Sequence, residues 1–176
     1  MNPFYEELTN EQKCAVLGFA IDFCGCKEPS PKEFSELQEL LANIHNDLGA
    51  SREEVETFID KMQTNGRLAY AIKILQTIEN KRMYGLFYPY FYSAVAILGS
   101  HSGLDKLNKI YDEEFGYDKE DIEMIWELYK IKDFRTTKPA RTNTTPTPRN
   151  SGCMVFVFAL LTSIAVCLCS FVMRLT

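Results

Sequence analysis

Residues 30–54 read SPKEFSELQELLANIHNDLGASREE, and this stretch decides the fold. Ser30 is followed by Pro31 and, at the third helical position, by Glu33. That is a helix start: the serine hydroxyl accepts from the backbone N–H of the third residue, and the glutamate reaches back to the cap. Phe34, Leu37, Leu40, Leu41, Ile44 and Leu48 then recur at spacings of three and four, one apolar stripe on an otherwise polar helix. Gly49 stops it. Ser51 with Glu54 opens the next helix, which turns Val55, Phe58, Ile59 and Met62 inward and stops at Gly66.

The same grammar extends in both directions. Upstream, Thr9 with Gln12 forms a capping box ahead of Ala15, Val16, Phe19, Ala20 and Phe23. Downstream, Leu68, Ile72, Leu75 and Ile78 mark a fourth helix. A fifth runs from about Lys81 to Leu98 and contains Pro89, which is expected to kink it or start it late. Residues 102–115 form a sixth, and Asp118 with Asp121 caps a seventh bearing Ile122, Ile125, Trp126 and Tyr129. No run alternates at period two for long enough to make a strand. Residues 1–134 are therefore expected to form one all-α domain, a bundle of about seven helices.

Two halves of that domain match at an offset of 67 residues. Leu37 and Leu40 align with Leu104 and Leu107, and Leu48-Gly49 with Phe115-Gly116. The segment Ser51-Arg52-Glu53-Glu54-Val55-Glu56 aligns with Asp118-Lys119-Glu120-Asp121-Ile122-Glu123. Cap, charge and apolar positions agree together, which is the expectation for an internal duplication. Two copies at this period are too few and too long for a solenoid.

The far end of the chain has a different character. Residues 153–173 hold 21 positions without a charge, a proline or a glycine. As a helix they span about 32 Å, enough for a hydrocarbon core of about 30 Å. Residues 135–152 are a Thr/Pro-rich basic linker with six Thr, Pro139, Pro146 and Pro148, too poor in apolar side chains to offset the entropy of ordering. They read as a flexible tether that holds the domain clear of a bilayer. No apolar segment precedes the domain in the style of a signal peptide. The expectation is a tail-anchored, single-pass transmembrane helix over 153–173.

Charge orients it. All 24 Asp and Glu and 14 of the 19 Lys and Arg precede position 135, so the segment before it carries −10 and the rest +5. Arg135, Lys138, Arg141 and Arg149 precede the apolar run and Arg174 follows it, which places the N-terminal domain in the cytoplasm. A domain this acidic is a poor partner for phosphate backbones, so nucleic acid is not expected.

Six cysteines do not imply a disulfide framework, because Cys153, Cys167 and Cys169 lie in the apolar run and Cys14, Cys24 and Cys26 in a reducing compartment. Cys24-Gly25-Cys26 alone supplies two metal ligands, and His45 and His101 show no zinc-site spacing to it. Residues 84–92 contain six aromatics: Tyr84, Phe87, Tyr88, Tyr90, Phe91 and Tyr92. So many rings cannot all face one core. Either the tyrosines Tyr84, Tyr88, Tyr90 and Tyr92 contribute to a partner-binding surface, or Phe87 and Phe91 fill the core while the tyrosine hydroxyls reach water. No nucleophile–base pair, phosphate loop or metalloprotease signature occurs, so the chain does not read as an enzyme and no cofactor is expected.

Over roughly residues 6–132 the chain resembles the tellurite-resistance TerB-like family, whose all-helical domain has two related halves. The resemblance rests on Glu11-Gln12-Lys13-Cys14-Ala15, on Ser30-Pro31-Lys32-Glu33, and on Leu48-Gly49 followed by Ser51, Glu53 and Glu54. It implies an acidic loop linked to divalent metal binding between the first two helices of each half. Here Ile21-Asp22-Phe23 keeps the aspartate but not the neighbouring glycine, and the second copy, Leu98-Gly99-Ser100-His101-Ser102-Gly103, has no carboxylate. Asp22, Glu28 and Glu33 are the metal-ligand candidates the resemblance leaves. Two functions follow as expectations: a membrane-anchored helical interaction or scaffold module with a protein partner, possessing a stress-related role by resemblance, or a metal-binding stress protein acting through the loop at Asp22.

Overall fold

The computed structural model describes residues 5–135. Among them lie seven helices and no strand: α1 (Asn10–Cys24), α2 (Pro31–Leu48), α3 (Arg52–Thr64), α4 (Leu68–Leu75), α5 (Arg82–Ile97), α6 (His101–Phe115) and α7 (Lys119–Leu128). The domain is all-α. Of the expected linker 135–152, all but Arg135 lies outside the described residues, as does the apolar run 153–173.

Capping chemistry sets the helix starts. Thr9 with Gln12, Ser30 with Glu33, Ser51 with Glu54 and Asp118 with Asp121 each form the reciprocal pair of bonds between cap and third residue. Two helices, α2 and α6, end at Gly49 and Gly116, at φ 67° and 72°, the left-handed conformation that glycine adopts without steric cost.

Helix α1 is the axis of the bundle. Eleven of its 15 residues are buried, on every side, because α2, α3, α4 and α5 all pack against it. Its Gly18 lets α3 approach: a methyl group there would lie 2.5 Å from Met62 Sδ and 3.2 Å from Phe58 Cε1. Phe19 is the aromatic hub, with ring centroids 5.1 Å from Phe23, 4.3 Å from Phe91 and 6.3 Å from Phe115.

Helix α5 continues through Pro89 from Arg82 to Ile97, so the proline neither ends nor delays it. Proline lacks the N–H that would bond the Gly85 carbonyl and its ring crowds that carbonyl. Within the same helix the Ser93 hydroxyl donates to the Pro89 carbonyl at 2.7 Å.

The sequence offset of 67 recurs in three dimensions. Leu37 and Leu104, Ile44 and Tyr111, Leu48 and Phe115, Val55 and Ile122, and Phe58 and Ile125 are buried at matched positions. Gly18 of α1 faces Phe58 of α3, and Gly85 of α5 faces Ile125 of α7, each pair displaced by the same amount. One pairing differs: Leu107 is fully buried, while Leu40 is only partly so and Leu41 takes its place in the core. The stripe that α2 buries is Leu37, Leu41, Ile44 and Leu48, rotated relative to Leu104, Leu107, Tyr111 and Phe115 of α6. The two helices meet different neighbours, α2 lying on α1 and α5 and α6 on α5 and α7.

Candidate functional site

The three carboxylates expected at a metal loop are not gathered. Asp22, at the end of α1, pairs with Lys106 of α6 at 3.4 Å, and the same ammonium sits 5.3 Å from the Phe23 ring centroid. Glu33 accepts from the Ser30 backbone at 2.6 Å and from Lys27 at 3.4 Å; burial pushes its carboxyl up, but these donors outweigh it and hold the group below its ordinary range. Lys27 also donates to the Leu98 carbonyl at 3.0 Å. Glu28 is exposed. A hard cation needs several convergent oxygens, whereas here two lysines already supply the positive charge. Among the described residues no three His, Cys, Asp or Glu side chains are arranged to hold a metal. The residues do not fit the ion that the family resemblance implies.

The aromatic window on α5 is placed by contacts that its own sequence does not reveal. Tyr84, Tyr88 and Tyr92 are buried alongside Phe87 and Phe91 instead of lining a surface, and Tyr90 is partly buried. This is possible because α5 has neighbours on several sides: α1, α2 and α6, and the segment after α7. Each hydroxyl finds a partner inside the protein. Tyr84 donates to the Leu75 carbonyl at 3.0 Å, and Tyr90 to Asp47 at 2.6 Å while accepting from Tyr5 at 3.3 Å. Tyr88 donates to Asn108 at 2.7 Å and accepts from the Trp126 indole at 3.0 Å. Tyr92 donates to the Lys132 carbonyl at 2.7 Å and accepts from the Phe134 N–H at 3.3 Å, which clasps residues 130–135 against α5. Burial pushes all four phenols above the usual tyrosine range, so they are neutral donors. An unmatched buried hydroxyl costs about 1–3 kcal/mol, which is why these partners matter.

Cys14, Cys24 and Cys26 are free thiols. Burial pushes Cys14 up to about 11 and raises Cys24 and Cys26 as well, so none is a thiolate at neutral pH. Cys14 floors a cleft of about 400 Å³ between α1 and α3, rimmed by Glu11, Glu53, Glu54 and Lys61. The rim groups are mostly engaged with each other: Asn10 donates to Glu54 at 2.6 Å, and Glu11 meets Lys61 at 3.8 Å and the Tyr70 hydroxyl at 3.3 Å.

What the sequence reading passed over is on α7. Met124 is 64 % exposed, Leu128 73 % and Tyr129 40 %. These are the large apolar side chains that stand in solvent among the described residues. On another face of α7, a cavity of about 440 Å³ is lined by Asn108, Lys109 and Asp112 of α6, by Lys119, Ile122, Glu123 and Trp126 of α7, and by Asp133 and Arg135. The signal was present in the sequence, since Met124 and Leu128 are four apart and off the stripe made by Ile122, Ile125 and Trp126.

Compared with protein-family models, with curated proteins and with solved structures, the chain matches none of them. Among the described residues no helix is long and apolar enough to cross a membrane.

Proposed function

We propose that this protein is a membrane-anchored helical interaction module of TerB-like type, held by residues 153–173 as a single span and facing the cytoplasm. The observation that carries the reading is the change of character along the chain: an acidic helical domain, a basic Thr/Pro segment, then 21 uncharged residues of membrane-spanning length. The paired geometry at an offset of 67 supports an internal duplication, and with it the TerB-like resemblance. The commitment of Asp22 and Glu33 to lysines and backbone favours scaffolding over metal chemistry. The free apolar face of α7 gives such a module something to present.

Carbonate extraction of membranes containing the full chain tests the anchor. The protein is expected in the pellet after high-pH washing and in solution only after detergent. Recovery in the supernatant without detergent contradicts the anchor.

A further inference from the structure

The exposed face of α7 has a polar twin on α3. Displaced by 67 residues, Glu120, Asp121, Met124, Ile125 and Leu128 correspond to Glu53, Glu54, Thr57, Phe58 and Lys61, the α3 side of the cleft that the first turns of α1 overlie. There Asn10 bonds Glu54, Glu11 pairs with Lys61, and Met62, the counterpart of Tyr129, is buried. Helix α1 begins at Asn10, but α5 begins at Arg82, the counterpart of Ala15. The opening turns of α1 that bond to α3 therefore have no helical equivalent beside α7. Where α3 places the exposed polar side chains of Thr57 and Lys61 and a buried Met62, α7 presents Met124, Leu128 and Tyr129 to solvent.

Charge and chain length select an occupant. The face is bordered by Glu120, Asp121 and Glu127, none of which is ion-paired among the described residues; the pair on α7 is Lys119 with Glu123, at 3.5 Å. Residues 136–176 carry Lys138, Arg141, Arg149 and Arg174, no acid, and the uncharged run from 153 to 173. This tail departs next to α7, where Asp133 and Arg135 share with Ile122, Glu123 and Trp126 a cavity on the side of the helix away from Met124 and Leu128. Seventeen residues, 136–152, reach about 20–25 Å as a flexible chain. Helix α7, with 10 residues, is about 15 Å long. The run can therefore meet α7 of its own chain at an effective concentration on the order of millimolar. A second copy fits less well: α7 against α7 opposes like charges, and three side chains fall short of the roughly 800 Å² per partner of a stable interface.

We propose that the α7 face formed by Met124, Leu128 and Tyr129 holds the start of the apolar run of the same chain while that run is outside a bilayer, and releases it on insertion. The inference rests on the anchor reading. Its direction follows from coverage: α7 shields one side of the run, whereas hydrocarbon surrounds it completely.

The test uses the full chain, synthesised cell-free with photoreactive benzoylphenylalanine replacing Leu128, and irradiated with or without vesicles of phosphatidylcholine and phosphatidylglycerol. Without vesicles, mass mapping is expected to find an intramolecular cross-link to residues 153–173, and vesicles are expected to reduce it at least about tenfold. Adding Met124→Glu is expected to remove most of the cross-link while the far-ultraviolet helix signal stays unchanged. Cross-links between copies, cross-links to lipid alone, no cross-link to 153–173, or a yield indifferent to vesicles each overturns the inference. The two readings fail separately. A chain that floats with vesicles yet never cross-links to its tail retains the anchor and loses the docking. A chain that cross-links but never floats loses the anchor, and with it the release on insertion.

Discussion

Gly18 and Gly85 occupy matched places 67 residues apart, yet a methyl group added at each meets different surroundings. At Gly18 it lies 2.5 Å from Met62 Sδ and 3.2 Å from a Phe58 ring carbon, so the core has to shift. At Gly85 the nearest atom is the Tyr117 hydroxyl at 3.5 Å, an ordinary contact. Gly18→Ala is therefore expected to destabilise by about 1–3 kcal/mol. Gly85→Ala is expected to stabilise by about 0.5–1 kcal/mol, since alanine has less backbone entropy to lose. Urea melts of the full chain in mild detergent, followed through Trp126, read both signs. Equal destabilisation by the two changes contradicts the packing described. At this scale the sequence was legible where chemistry is local. Thr9, Ser30, Ser51 and Asp118 are recognisable as caps because their partners lie two or three residues away. The tyrosines of α5 were not, because Asp47, Asn108, Trp126 and Lys132 come from other elements. Asp22 and Glu33 read as loose carboxylates for the same reason: Lys106 is distant in sequence, and Lys27 becomes a partner only once the loop is folded.

At the scale of elements, the ordering of costs separates caps from core. Ser51→Ala and Asp118→Ala each remove a side-chain acceptor at a helix start and are expected to cost about 0.5–2 kcal/mol. Leu37→Ala and Leu104→Ala empty fully buried positions on α2 and α6 and are expected to cost about 2–5 kcal/mol. Leu40→Ala is expected to cost clearly less than Leu107→Ala, since only Leu107 is fully enclosed. The same melts decide it, and a Leu40 change as damaging as the Leu107 change contradicts the rotated stripe. Helix identity and end points were readable from apolar spacing and Gly stops. The rotation of α2 was not, because Leu40 and Leu41 are both leucine and only the neighbouring helices choose between them. The run of α5 through Pro89 was missed similarly: a proline in isolation argues for a break, but burial of Phe87, Tyr88 and Phe91 around it holds the helix together. The free face of α7 is a matter of side-chain character, since α3 carries Thr57 and Lys61, also exposed, where α7 carries Met124 and Leu128.

For the whole molecule, the parts divide by charge and by apolarity. Residues 5–135 form a helical domain with its own core, and the acidic side chains of the chain all belong to the segment before position 135. The basic residues Arg135, Lys138, Arg141 and Arg149 lead into the uncharged run and outnumber Arg174 beyond it. Under the proposed anchor, this asymmetry would keep the domain on the cytoplasmic face, where basic flanks would also meet anionic headgroups. The measurement that tests the central claim most directly is protease protection of the full chain in intact cells or spheroplasts. The helical domain is expected to survive protease added from outside and to be cut once the membrane is opened with detergent. Digestion of the domain by external protease in sealed cells would contradict the account.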